Sequence, residues 1–230
     1  MAVIALTSSM GTGVKYVAEQ TAWRLGVELV YREICPTGYE FAAGIHRAAN
    51  QAVGSRWETG LAWLKAANNV DALADLEDLC RLAQRGNVLI CGATALHFLS
   101  DVTQVVKIRV RTTMALRVRR IMACMGTDEP DLALGKILHS DQRQSQALKQ
   151  MFGIDDAENP TLYDSVIDTG REPAETCALQ IVNLAARPAE IGHLTRWGKF
   201  DSMLEQVRRT RAALNGQSRH GGSETKNGAS

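Results

Sequence analysis

The stretch from Ala2 to Gly26 constrains the fold of this chain more than any other. "AVIALTSS" is an unbroken apolar run closed by small polar residues, and it predicts a strand buried on both faces of a parallel sheet. Gly11-Thr12-Gly13 follows as a tight turn. Val14, Val17, Ala18, Ala22 and Leu25 then recur at three- and four-residue steps, which predicts an amphipathic helix stopped by Gly26.

The same alternation of strand and helix runs through the next 160 or so residues. "VELVYR" reads as a second strand, "GNVLICG" as a third, "VVKIRVRT" as a fourth and "DSVIDTG" as a last one. Between Thr37 and Arg85 the text is helical but carries Gly38, Gly44, Gly54 and Gly60, so several short helices are expected. "ALADLEDLCRLAQR" is the clearest of them, with Leu73, Leu76, Leu79, Cys80 and Leu82 towards one face. "TMALRVRRIMACM" is also helical, with Met114, Leu116, Val118, Ile121 and Met122 expected inward and the arginines outward. "EPAETCALQIVNLAA" places Pro173 near a helix start. This order predicts an α/β fold, a doubly wound parallel sheet flanked by helices. One domain is expected over residues 1–187, followed by a C-terminal helical extension over 188–214 with a helix around Phe200 to Leu214. The Gly- and Ser-rich stretch 215–230 reads as a disordered tail.

Composition narrows the function classes. A chain of 230 residues can bury a sizeable core. Its net charge of +1 gives no global field towards nucleic acid or membrane, so neither is expected as a partner. "LTRWGKFDSMLEQVRRTRAAL" mixes basic and aromatic residues but reads as an amphipathic docking helix rather than an RNA contact. Cys35, Cys80, Cys91, Cys124 and Cys177 are scattered singly, as reduced thiols would be. The N-terminal apolar stretch is too short for a signal peptide or membrane span, so a cytoplasmic location is expected. No His/Cys cluster has metal-ligand spacing, and neither G-x-S-x-G nor H-E-x-x-H occurs.

A glycine turn between a strand and a helix can hold phosphate, because backbone N–H groups and the positive helix end converge there. The full phosphate-loop pattern G-x-x-x-x-G-K-[ST] fails at Ser8, at Val14 and at Lys15-Tyr16. The hydroxyls of Thr7, Ser8, Ser9 and Thr12 remain, with Lys15 nearby as a cation. A turn with no ligand stays open as the alternative. Further along, Lys107, Arg109 and Arg111 alternate with apolar residues and so share one face of their strand. Arg117 and Arg120 are three apart and can lie on one side of a helix, whereas Arg119 reads as solvated.

"AVIALTSSMGTGVKYVAEQTAWRLGVELVYREI" resembles the opening of the cytidylate kinase-like family, a branch of the P-loop nucleoside monophosphate kinases. The similarity continues through "GNVLICGATA", "KIRVRTTMALRVRRIM", Asp141-Gln142-Arg143 and "YDSVIDTG", from about Ala2 to Ala186. The resemblance implies a P-loop NTPase-like sheet with a helical lid over "GTDEPDLALGKILHSDQRQSQALKQMFG". It also implies ATP and Mg2+ as cofactors, nucleotides as substrates, and phosphoryl transfer to a nucleoside monophosphate or similar small acceptor. On that pattern Ser9, Gly11, Thr12, Gly13, Lys15 and Tyr16 would bind the nucleotide. Lys15 stands where the family commonly has a basic residue, and Arg117 and Arg120 match its R-x-x-R. Together with Arg143 they would neutralise the phosphates. Arg32, Gly92, Thr94 and Asp141 would serve the acceptor.

The chain departs from the family in several places. Asp141 and Arg143 are one residue closer than a D-x-x-R pair, and Tyr31-Arg32-Glu33 lacks an aspartate. Gly92-Ala93-Thr94-Ala95 lacks the arginine of G-R-G-A, for which His97 could substitute unless it is packed. Asp164 and Asp168 read as anchors of the final loop, or as groups that orient Mg2+ through water. The losses at Ser8, Val14 and Ala93 support a second reading, a degenerate kinase fold acting as a nucleotide-sensing or protein-interaction module. The direction of the Lys15 ammonium separates the two: into the loop for an enzyme, into solvent for a module.

Overall fold

In the computed structural model, which describes residues 3–34, 55–186 and 195–220, the opening apolar run becomes β1 (Val3–Ser8). Residues Val3 to Leu6 of β1 are all buried, because the strand lies in the middle of a five-stranded sheet of order β2-β3-β1-β4-β5. The other strands are β2 (Glu28–Tyr31), β3 (Val88–Cys91), β4 (Val105–Arg111) and β5 (Ser165–Asp168). Every pairing is parallel, with Ala5 opposite Ile90 on one side of β1 and Thr7 opposite Arg109 on the other.

Parallel strands need crossover connections, and the described helices supply them. They are α1 (Val14–Leu25), α2 (Arg56–Ala66), α3 (Val70–Arg85), α4 (Ala93–Leu99), α5 (Met114–Met125), α6 (Pro130–Phe152), α7 (Ala174–Ala185) and α8 (Thr195–His220). Alternation along β1 feeds two cores. Ile4 and Leu6 meet Val17 and Ala18 of α1 and Cys177 and Ile181 of α7. Val3 and Ala5 face the larger core, built with Leu73, Leu76 and Leu79 of α3, most of α4, and Leu148 and Met151 of α6. Helices on both faces of a parallel sheet make the fold doubly wound, as the alternating text requires. The segment expected as a lid forms the single 23-residue helix α6.

Two helices differ from expectation. In α5, Arg117 is the one buried residue while Met114 is 40% exposed, so the expected inward apolar face and outward arginines are reversed at the helix centre. The reason lies outside the helix, in backbone carbonyls that accept from the arginines, described below. Helix α8 continues past residue 214, where the tail is expected to begin, to His220, and it docks on the domain through an apolar stripe. Phe200, Met203, Leu204, Val207 and Leu214 all enter the larger core. Trp57 Nε1 donates to Gln206 Oε1 at 2.8 Å, and the buried Glu77 accepts from Arg208 and Arg211 at 3.0 Å each. Burial pushes the Glu77 pKa up, but the hydrogen bonds of Arg208 and Arg211 outweigh it and bring the carboxyl below its ordinary value.

Cys80, Cys91, Cys124 and Cys177 are free thiols, and Cys35 lies outside the described residues. So do residues 187–194 and the stretch 221–230 of the expected tail. Among the described residues no helix is long and apolar enough to cross a membrane.

Candidate phosphate-loop site

The carboxyl end of β1 opens into Ser9 to Gly13, and α1 starts at Val14. Gly11 and Gly13 have φ of 81° and 78°, which side chains rarely adopt. Space enforces the same choice. A Cβ on Gly11 would lie 2.9 Å from the Arg117 carbonyl oxygen, and one on Gly13 would lie 3.0 Å from Arg120 Nη1. Inside the turn, Thr12 Oγ1 donates to the Ser9 carbonyl at 2.9 Å. The N–H groups of Gly13, Val14 and Lys15 have no hydrogen-bond partner among the described residues. They are the donors that a helix start leaves for an anion.

The opposite edge of the loop is its carbonyl edge, and arginines hold it. Arg117 Nε donates to the Met10 carbonyl at 2.6 Å, while Nη1 and Nη2 form a fork on the Asp141 carboxylate at 2.8 and 2.7 Å. Arg120 Nη1 donates to the Thr12 carbonyl at 2.6 Å and to Thr169 Oγ1 at 3.0 Å. Thr169 Oγ1 in turn donates to the Thr12 carbonyl at 2.6 Å. Gln144 of α6 donates to the Ser8 carbonyl at 3.1 Å. These bonds explain why α5 turns arginines inward: carbonyl oxygens and a carboxylate repay the burial of the guanidinium groups. They also turn the loop's carbonyls away from its N–H groups.

Below the loop, the buried Arg109 of β4 donates from Nη2 to Ser9 Oγ at 2.9 Å and forms an ion pair with Glu158. Lys15 takes another direction. Its side chain is 79% exposed, and its ammonium sits 4.0 Å from Glu19 one turn along α1. The Tyr16 hydroxyl donates to Glu175 of α7 at 2.9 Å, a bond that raises the tyrosine's pKa. Arg143 is exposed on α6, and the residue three places after Asp141 that reaches the loop is Gln144.

The next strand over also ends in a glycine. A Cβ on Gly92 would stand 1.9 Å from the Arg32 carbonyl oxygen, so only glycine fits. Here the N–H groups after the glycine are occupied. The Glu33 carboxylate accepts from Ala93 N at 2.6 Å, Thr94 N at 3.1 Å and Thr94 Oγ1 at 2.7 Å. Arg32 reaches Asp75 at 3.0 Å and Asp78 at 3.9 Å. Between the two turns lies a cavity of about 350 Å³, lined by Ser8 and Val14 from one side and Tyr31, Arg32, Glu33 and Gly92 from the other. Cys91 also lines it, but burial pushes its thiol up to about 12, so it is no nucleophile at neutral pH. His97 is packed, fully buried with ring centroids of Phe152 and Tyr163 at 5.6 and 6.3 Å. Burial, with Arg56 and Arg109 adding, lowers its pKa to about 3 and keeps it neutral, so it is no substitute cation.

The structure therefore brings Ser9, Gly11, Thr12, Gly13, Arg117, Arg120 and Asp141 into one cluster. It sets Arg32 and Gly92 on the far wall of the cavity, buries Thr94 with its hydroxyl between Glu33 and the Ile34 N–H, and turns the Lys15, Tyr16 and Arg143 side chains elsewhere. Asp164 and Asp168 serve the final strand and its turn, the first accepting from Lys107 N at 2.7 Å and the second from Gly170 N at 2.9 Å. Of the basic residues that alternate along β4, Arg109 is the one that reaches the loop, and Gln144, Thr169 and, at the second turn, Glu33 are further residues that the sequence reading does not place in the site. Helix phase from Asp141 finds Gln144, and no local signal marks Thr169 or Glu33. Among the described residues no group of three metal-ligating side chains stands close enough to hold an ion.

Residues 3–171 match the model of the cytidylate kinase-like family. No curated protein matches the chain. Among solved structures, an uncharacterized protein from Eubacterium ventriosum ATCC 27560 is similar over 81% of this chain and 99% of its own, at 16% identity and a TM-score of 0.61. The shikimate kinase from Acinetobacter baumannii in complex with shikimate is 15% identical over 80% of this chain and 92% of its own, with a TM-score of 0.42. A sugar kinase from Janibacter sp. HTCC2649 is 17% identical over 84% of this chain and 99% of its own, with a TM-score of 0.40.

Proposed function

The chain belongs to the cytidylate kinase-like family, and from that premise we propose that it transfers the ATP γ-phosphoryl group to a nucleoside monophosphate or a similar small acceptor. The observation that carries this reading is the glycine loop. Among the described residues its N–H groups at Gly13, Val14 and Lys15 have no partner, while its carbonyl edge is held by Arg117 and Arg120. An anion cradle needs that polarity, and it forms no further bonds to reach it. These residues fit a phosphate chain. Bound ATP would supply the phosphoryl group, and its Mg2+ would ride on the phosphate oxygens, since the described residues form no metal cage of their own.

In this reading the loop N–H groups hold the β-phosphate and α1 adds its positive end. The fork of Arg117 on Asp141 ties α6 to the loop, so movement of α6 and release of Arg117 towards a phosphate are one event. The cavity between the two glycine turns takes the acceptor, with the Arg32 side as its far wall. Ser8 and Val14 border both spaces, which brings acceptor and donor sites into contact.

The test is calorimetry with Mg·ATP, followed by phosphorylation assays over a panel of monophosphates. Binding with turnover of at least one monophosphate is expected, and absence of ATP binding would sink the proposal. One observation favours the second reading: Val14 replaces the usual lysine, and Lys15 faces solvent. A module of that kind binds nucleotide and turns over none of the panel.

A further inference from the structure

Arg109 is out of place on energetic grounds. Its neighbours across the sheet are the buried Thr7 on β1 and Val166 on β5, which packs against the larger core, and its own side chain is only 2% exposed. Among the described residues Nε and Nη1 have no hydrogen-bond partner, and neither do Thr7 Oγ1, directly opposite in the sheet register, or either nitrogen of the nearby His97. Burying a guanidinium with two idle nitrogens is costly, and an apolar side chain of similar length would suit the face better. Stability of the fold does not explain the residue. Its two partnered contacts lead elsewhere: Nη2 reaches Ser9 Oγ in the phosphate loop and the Glu158 carboxylate beyond it.

A serine hydroxyl has two lone pairs and one proton. Arg109 donates into one lone pair of Ser9, which leaves the proton to be given to another acceptor. We propose that Arg109 is a positioning residue that fixes Ser9 and turns its hydroxyl into a charge-assisted donor for the phosphate held by the loop. It thereby supplies from beneath part of the positive field that Val14 and the outward Lys15 do not. Glu158, 55% exposed, anchors the guanidinium from the solvent side and sets which way it reaches. The proposal rests on the nucleotide reading above.

A double-mutant cycle on Mg·ATP affinity tests it, with Ser9→Ala, Arg109→Met and both together. Each single change is expected to raise Kd about tenfold, the loss of one charge-assisted hydrogen bond. The double variant is expected to be no weaker than either single one, because Arg109 acts through Ser9. Additive losses, or unchanged affinity in Arg109→Met, would overturn the proposal. The thermal midpoint of Arg109→Met combined with Glu158→Gln is expected to stay level or rise, whereas a purely structural arginine would lower it. Should Arg109→Met fail to fold, Arg109→Lys serves, with an expected Kd between wild type and Ser9→Ala. If wild-type protein binds no ATP, the nucleotide reading fails by itself. The cycle is then read on amide exchange of Met10 to Gly13 in the free protein: Ser9→Ala and Arg109→Met should each speed it equally, and no change overturns the proposal.

Discussion

Two glycine turns leave neighbouring strands of one sheet and end in opposite conditions. After β1, the turn leaves the N–H groups of Gly13, Val14 and Lys15 without partners among the described residues and has its carbonyls held by Arg117 and Arg120. After β3, the turn at Gly92 has its N–H groups filled by the Glu33 carboxylate. The helices repeat the contrast, since α1 buries four of its twelve residues while all seven of α4 are buried. A glycine turn at the end of a parallel strand is therefore not yet a binding site. What decides is whether a side chain of the protein already sits where the anion would.

The largest expected effect sharpens the rigidity of the second turn. Gly92→Ala forces a Cβ to 1.9 Å from a backbone oxygen that cannot swing away, so unfolding should shift by more than about 4 kcal/mol in denaturant titration. Next comes Arg117→Ala, which strands the Asp141 carboxylate and the Met10 carbonyl. A loss of about 3 kcal/mol and a collapse of ATP affinity are expected, and unchanged affinity would mean that the first turn does not depend on its arginines.

His97 reports how tightly α4 is enclosed. Its folded pKa of about 3 lies below the ordinary imidazole value of 6.5, so the unfolded chain binds the extra proton between those values. Stability is then fully present above pH 6.5 and falls as the pH drops towards 3, by about 2 kcal/mol at pH 5 from this group. His97→Leu should flatten that slope; an unchanged slope would assign it to other groups. Glu33→Gln removes the charge from the closed turn and should cost about 1 kcal/mol, with ATP affinity preserved if the two turns are independent. The smallest effect belongs to Lys15→Ala, within about 0.5 kcal/mol of wild type in stability. Abolished ATP binding in that variant would show that the lysine reaches into the first turn.

Much of the fold was legible because burial on both faces writes itself as continuous apolar text, as in Val3 to Leu6 and Val88 to Cys91. The site was less so. Arginines in "RVRR" read as outward because water is the default partner of charge, and the acceptors that overturn this, Met10 and Thr12, stand more than a hundred residues upstream. Alternation in "KIRVR" put Lys107, Arg109 and Arg111 on one face but carried no sign that Ser9, 100 residues away, would meet the middle one. The Lys15 direction was within reach, since Val14, Val17 and Ala18 set an inward phase that leaves position 15 outside. Helix α8 has its apolar residues at Phe200, Met203, Leu204 and Val207, a readable stripe whose partner α3 could not be read from local text.

During synthesis, α8 makes the order of events matter. Leu73, Glu77, Cys80 and Gln84 form one stripe along α3, and that stripe is covered by residues such as Asp201 and Arg208, the latter 131 positions later. A ribosome that has released residues up to 186 has delivered all five strands and left this stripe facing water. Closure of so long a loop is slow compared with local helix formation. For that interval the nascent chain carries an apolar band and a carboxylate that has Arg81 of its own helix but awaits Arg208 and Arg211, the kind of surface that chaperones hold and other nascent chains stick to.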